Sequence, residues 1–150
     1  MQLVGCRARL RGEAPLREKH RMQEPGSLPQ VPRLSVVICT HNREATLGKT
    51  LRSLEVQSLA PADFEILVVD NRSTDSTRAL VCEEFARLGN LQYIYEPKLG
   101  LNIARNTGWR AARAPYVAYI DDDAIADEKW AENILVAFEQ SPLKPDWIGG

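Results

Sequence analysis

The sequence predicts an α/β fold, a mostly parallel Rossmann-like sheet with flanking helices. Three observations carry this. Short apolar runs rich in β-branched residues recur at Leu34–Cys39, Phe64–Val69 and Tyr116–Ile120, as expected of strands buried on both faces. Segments with helical spacing of apolar residues separate these runs. The resulting order, β-α-β-α-β-α-β-α, requires a layered sheet, and right-handed crossovers make it mostly parallel.

Residues 1–33 come first and show no sustained periodicity. Pro15, Pro25, Gly26, Pro29 and Pro32 punctuate them. They read as a disordered, basic, proline-rich tail, with the folded domain over 34–150. One serine and three glutamates in this stretch fit a transit peptide poorly. After the first strand, Leu47, Leu51 and Leu54 define a helix over about Glu44–Ser58, which Pro61 stops. The second strand, Phe64–Val69, leads through a polar turn into a helix over Thr74–Leu88. Ser73 or Thr74 is expected to cap that helix, and Asp75 to favour its positive end. Thr77, Val81, Phe85 and Leu88 form its buried stripe, and Gly89 is expected to end it.

Leu91–Tyr95 alternates as a third strand. The helix over Leu101–Arg113 carries a face of small residues, Ala104, Gly108 and Ala111 or Ala112, suited to close approach. Tyr116–Ile120 is the fourth strand. Asp127 is expected to cap a last helix running to Gln140, with Trp130, Ile134 and Phe138 inward. Asp146–Gly150 reads as the opening of another strand, so the domain is expected to be incomplete at its C-terminus.

Composition narrows the functional classes. Of 150 residues, 44% are hydrophobic and 26% charged, with a formal net charge of -1, which argues against general affinity for nucleic acid or anionic membranes. Cys6, Cys39 and Cys82 are far apart, in no metal-ligand spacing, and read as reduced thiols, with Cys39 in the core. No apolar stretch is long enough to span a bilayer. The expected location is the cytoplasm, with peripheral association at the inner membrane face left open through a partner or a lipid-linked acceptor.

Polar residues collect where the strands end. In an open parallel sheet, ligands bind outside the carboxyl ends of the strands. Three strands here end in Thr40-His41-Asn42-Arg43, in Asp70-Asn71-Arg72-Ser73-Thr74-Asp75 and in Asp121-Asp122-Asp123. Two carboxylates about 4 Å apart repel by roughly 4 kcal/mol at an effective dielectric of 20, and a divalent cation reverses the sign. Oxygen ligands select a hard ion, Mg²⁺ or Mn²⁺. With strand alternation maintained, Asp121 and Asp123 point to one side and are the metal candidates, while Asp122 points to the other. Asp70 reads equally as a ligand to a base imide or ribose and as an Asx turn. Arg105, a turn into its helix, is a candidate for a diphosphate, although a surface arginine is the plainer reading. His41 reads as a polar turn residue. No GxGxxG, P-loop or GxSxG motif occurs.

These segments resemble family 2 glycosyltransferases. Val36–Arg43 is similar to the family's opening strand and loop. Glu65–Asn71 with Ser73-Thr74-Asp75 is similar to its second strand and acidic turn. Gly100–Gly108 is similar to its helix start, and Ile120–Asp123 to its DxD motif. The resemblance implies a GT-A fold, a UDP- or GDP-linked sugar donor, a divalent ion and inverting transfer to a glycan or lipid-linked acceptor. It implies that Thr40, Asn42, Arg43 and Asp70 hold base and ribose, that Arg105 lies near the nucleotide, and that Asp121 and Asp122 join the donor site. Asp121 and Asp123 take the metal. Two departures stand out. Ala124 replaces a frequent acidic residue, and the catalytic base and acceptor site are expected beyond Gly150, so the chain reads as the donor-binding portion. A non-catalytic nucleotide-sugar-binding module and a sugar nucleotidyltransferase are the alternatives. The second would normally show a glycine-rich loop after the first strand, and none is present.

Overall fold

The computed structural model describes residues 31–142 and 145–146. Residues 1–30 of the tail expected over 1–33, and most of the strand expected from Asp146, lie outside the described residues. Among the described residues, four strands form one sheet: β1 (Leu34–Thr40), β2 (Phe64–Asp70), β3 (Leu91–Tyr95) and β4 (Tyr116–Tyr119). All three pairings are parallel and the order is β3-β2-β1-β4. The chain therefore builds outward from β1 on one side, then crosses to the other. This reversal between β1 and β4 is the place where an open α/β sheet leaves a crevice at its carboxyl edge.

Alternation along β1 and β2 divides the core into two layers. Leu34, Val36 and Ile38 face one side with Ile66 and Val68, under α1 (Glu44–Glu55), α2 (Thr77–Ala79) and its continuation, and α4 (Trp130–Gln140). Val37, Leu67 and Val69 face the other side, under α3 (Leu101–Ala111). Continuous apolar runs are what such two-sided burial needs. The small face of α3 does what the sequence suggests. Ala104 and Gly108 are buried, and a Cβ on Gly108 would stand 2.3 Å from Val37 Cγ1.

The strands and helices arise where expected, and the departures lie at helix ends. The helix expected over Thr74–Leu88 starts at Thr77 and passes into a π-helical turn over Leu80–Glu84. Its expected caps are engaged elsewhere. Ser73 Oγ accepts a hydrogen bond from the Asn42 amide at 2.9 Å, and the Thr74 amide donates to Asn42 Oδ1 at 2.6 Å. Asp75 takes over, accepting from the Thr77 amide and hydroxyl at 3.0 and 2.6 Å. Gly89 has no left-handed backbone and lies beyond the helical residues. Asp127 makes a turn with the Lys129 amide at 2.9 Å, while Gln57, just past α1, accepts from the Ala131 amide at 2.9 Å. In α4 the deeply buried residues are Ala131 and Leu135, and Trp130 and Ile134 are only partly buried.

Cys39 is a free, partly buried thiol. Cys82 is not free, so the expectation of three reduced cysteines does not carry over to it.

Candidate functional site

A cavity of about 530 Å³ opens at the carboxyl edge, between the ends of β1 and β4. Its wall has three parts. Cys39, Thr40, His41 and Arg43 come from β1 and its loop, Asp121, Asp122 and Asp123 follow β4, and Asn71 with Leu99, Gly100, Leu101 and Ala104 closes the third side. The expected convergence of three polar strand ends on one rim is thus present in the folded chain.

Each wall is held by identifiable bonds. The loops after β1 and β2 exchange caps. The Glu44 amide donates to Asp75 Oδ2 at 3.2 Å, and the Ser76 amide donates to Glu44 Oε2 at 2.7 Å. Asp75 loses some solvation, which pushes its pKa up, but the hydrogen bonds from Thr77 and the Glu44 amide outweigh this and hold it below the ordinary carboxylate range. Asn42 sits in the left-handed region at φ 53°, a conformation asparagine tolerates better than most residues. Its side chain faces Thr74, so it braces the loops and does not line the cavity. Asn71 ties down the third wall. Its Nδ2 donates to the Lys98 carbonyl at 2.8 Å and its Oδ1 accepts from the Gly100 amide at 2.7 Å. Gly100 needs to be glycine, because its φ of 145° is strained for any other residue.

Asp70 is placed differently from the expectation. It is 1% exposed, and it is absent from the cavity wall. Its Oδ1 accepts from the Ser73 amide at 2.7 Å and its Oδ2 from the Tyr93 hydroxyl at 2.5 Å. The Asx-turn reading describes these bonds. Tyr93 and the Ser73 amide close over Asp70, and the next residue, Asn71, is the one on the cavity wall. The sequence pattern puts Asn71 within the polar turn and assigns it no role. Its position as the first residue beyond a buried strand was the available signal.

Arg105 also stands apart from the wall. It is exposed on α3, and its carbonyl accepts from the Tyr119 hydroxyl at 3.1 Å. Its charge nevertheless acts on the site's edge. The Cys39 thiol is pushed up to about 11 by burial, with Arg105 pulling it down and Asp122 and Asp121 adding to the rise.

Thr40 and the acids form the most reactive part of the wall. Thr40 is 3% exposed, and its Oγ1 has no hydrogen-bond partner among the described residues. A buried hydroxyl without a partner is costly unless a ligand or water completes it. Burial raises the pKa of Asp122, while the nearby Thr40 hydroxyl, which falls short of a full hydrogen bond, and Arg43 oppose the rise. Arg43 Nη1 lies 2.9 Å from Asp123 Oδ2 and 4.0 Å from Asp122 Oδ1.

The donor chemistry fits a divalent ion of one particular kind. Among the described residues, no group of three or more His, Cys, Asp or Glu side chains forms a ready-made metal cage. Magnesium-type sites need none, because such ions are commonly held by one or two carboxylates and completed by ligand phosphates. Asp121 and Asp123, on the cavity wall and exposed, supply that minimum.

Comparison with known proteins agrees with this architecture. Residues 35–144 match the sequence model of Glycosyl transferase family 2. The chain belongs to that family. Validoxylamine A glucosyltransferase of Streptomyces hygroscopicus subsp. limoneus is 43% identical over 115 residues, which cover 75% of this chain and 25% of that protein. Glycosyltransferase AglE of Haloferax volcanii is 30% identical over 121 residues, 80% of this chain and 39% of AglE. Among solved structures, S. aureus TarS 1-349 in complex with UDP-GlcNAc aligns with a TM-score of 0.67 at 26% identity, covering 72% of this chain and 31% of that one. Mannosyltransferase PcManGT from Pyrobaculum calidifontis, in complex with GDP-Man and Mn²⁺, aligns with a TM-score of 0.65 at 27% identity, over 74% and 33%. The parallel four-stranded sheet with flanking helices is thus the GT-A arrangement. The chain spans well under half the length of these relatives.

Proposed function

We propose that this chain is the donor-binding portion of an inverting, metal-dependent glycosyltransferase, which transfers a hexose or related sugar from a nucleoside-diphosphate donor to a glycan or lipid-linked acceptor. The observation that carries the reading is the meeting of Thr40, Arg43, Asn71 and Asp121–Asp123 on one cavity at the switch point of the sheet. Relatives bound to UDP-GlcNAc or to GDP-Man with Mn²⁺ support the donor class.

In this reading the cavity floor takes the nucleoside. The unpartnered Thr40 hydroxyl offers a hydrogen bond to base or ribose, and Leu99, Leu101 and Ala104 supply apolar contact. Asp122, also on the wall, adds a polar group to the donor site. Asp121 and Asp123 hold a Mg²⁺ or Mn²⁺ ion that the donor's phosphates complete. When bound, the ion supplies Lewis-acid neutralisation of the charge that develops on the leaving diphosphate. Arg43 adds a guanidinium beside the same phosphates. Asn42, Asp70 and Asp75 act one step back, holding the loops in place. Arg105 contributes a long-range positive charge.

Donor binding is the activity proposed for the residues of this cavity. We place the protein in the cytoplasm, with contact to the inner membrane face through a lipid-linked acceptor. No helix among the described residues is long and apolar enough to cross a membrane.

Calorimetric titration of the chain with UDP and with GDP, each with and without Mn²⁺, tests the reading. Saturable heat with one of the two, weakened by chelating the metal, is expected. No heat with either nucleotide in the presence of Mn²⁺ would overturn it.

A further inference from the structure

We propose that Arg43 and the divalent ion compete for Asp123. The guanidinium is the resident cation of the acidic rim until the ion takes the carboxylate, and Arg43 then turns to the donor's diphosphate. The inference rests on the donor-binding reading above and adds to it an exchange of partners.

Three observations point there. Arg43 Nη1 is 2.9 Å from Asp123 Oδ2, joining the loops after β1 and β4. Both side chains are 52% exposed, so they lie at the solvent-facing rim that an incoming ligand meets first. Exposed ion pairs contribute at most a factor of about five to an equilibrium, so this one opens at little cost. The backbone of Arg43 is fixed independently, since its carbonyl accepts from the Leu47 amide at 3.0 Å and from the Thr46 hydroxyl at 3.1 Å. The long side chain is then free to change partners while the loop stays where it is.

Charge gives the exchange its direction. Three carboxylates and one permanently charged side chain line the cavity, which leaves the rim acidic and hostile to a diphosphate. Arg43 bound to Asp123 is spent on internal neutralisation. A divalent ion on Asp123 replaces that charge twice over and releases a forked donor suited to phosphate oxygens. Metal and diphosphate then assist each other through one residue.

The test reads metal binding in the absence of any nucleotide. Manganese titrations of the 150-residue chain, followed by the electron paramagnetic resonance of free Mn²⁺, compare wild type with Arg43→Gln. Removing the competitor is expected to tighten Mn²⁺ binding about two- to fivefold. The same variant should bind UDP or GDP with Mn²⁺ about tenfold or more weakly, because a charge-assisted bond is lost. In an Asp123→Asn background the Arg43→Gln effect on Mn²⁺ should vanish. Circular dichroism melts confirm that each variant folds. Mn²⁺ binding that is unchanged or weaker in Arg43→Gln, with nucleotide binding by wild type intact, sinks the exchange and leaves the donor site standing. Absence of both Mn²⁺ and nucleotide binding by wild type sinks the two together.

Discussion

Gly108→Ala sets two general expectations against each other. Glycine within a helix is less favourable than alanine by about 0.8–1.0 kcal/mol, so propensity alone predicts a more stable protein. The structure predicts the opposite. A methyl at Gly108 would lie 2.3 Å from Val37 Cγ1, 3.2 Å from Val69 Cγ2 and 3.4 Å from Val37 Cγ2. Carbon atoms settle at about 3.5–4.0 Å, so the closest pair must separate by more than 1 Å. Rotating Val37 gives no escape, because its second methyl already borders the same space. Val37 and Val69 are fully buried in the two central strands, so the strain falls on α3. Overpacking of this kind costs about 1–3 kcal/mol. With the propensity gain subtracted, the range is about 0–2 kcal/mol, and a 2.3 Å approach to a buried strand puts the variant at its upper end, a loss of about 2 kcal/mol or roughly 4–8 °C in Tm. Moving α3 also displaces Leu101 and Ala104 from the cavity wall, so nucleotide affinity should fall. Urea denaturation and thermal melting measure the first effect and calorimetry the second. A Gly108→Ala protein as stable as wild type, or more so, would refute the close-packing argument.

Other perturbations have equally definite signs. Tyr93→Phe removes the donor to the buried Asp70 carboxylate and should cost about 1–3 kcal/mol by urea denaturation. Arg113→Ala leaves Glu65, 2% exposed, with only the Ser35 hydroxyl and a backbone amide, and an expected loss of about 1–2 kcal/mol falls below that of a fully buried pair because those bonds remain. Asn42→Ala loses both the tolerated left-handed backbone and the bonds to Thr74, so it should weaken nucleotide binding more than Asn42→Gly, as calorimetry would show. The Cys39 thiol, raised by burial from 9.0 to about 11, should react with iodoacetamide at pH 8 about 100-fold more slowly than an unperturbed thiol, since only the thiolate attacks. The same shift stabilises the fold fully below pH 9. That contribution is lost as the pH climbs towards 11, so the alkaline stability profile of Cys39→Ala should be flatter over this window.

How much of this was legible in the sequence depended on how local the cause is. The strands at Leu34, Phe64 and Leu91 were readable because burial pattern acts residue by residue. The small face of α3 was readable for the same reason, as Gly108 is conspicuous in any helical projection. Helix caps were not, because their partners come from elsewhere in the chain. Ser73 and Thr74 are sound capping residues, yet Asn42, 31 and 32 positions away, takes both. The start of α4 is likewise capped by Gln57, which no local pattern announces. Asp70 and Asn71 show the same limit at the site. Both are polar residues at a strand end, and Tyr93, from a different strand, closes over Asp70 and leaves Asn71 on the cavity wall.

The same contrast separates ligands from braces. A polar loop must satisfy its own buried groups before it can hold anything else. Asn42, Asp70 and Asp75 have spent their oxygens on neighbouring amides and hydroxyls, and those bonds are what keep the two loops in register. What remains for a donor is the set the fold leaves uncommitted: a buried Thr40 hydroxyl without a partner, exposed Asp121, and an Arg43–Asp123 pair that opens at little cost. A residue type seen in sequence names a capacity to bind, and the hydrogen-bond accounting of the folded chain decides whether that capacity is still available. Substituting a brace should therefore lower fold stability and affinity together, whereas the isosteric Thr40→Val should lower affinity without lowering the melting temperature, since it removes a buried hydroxyl that the unliganded fold leaves without a partner.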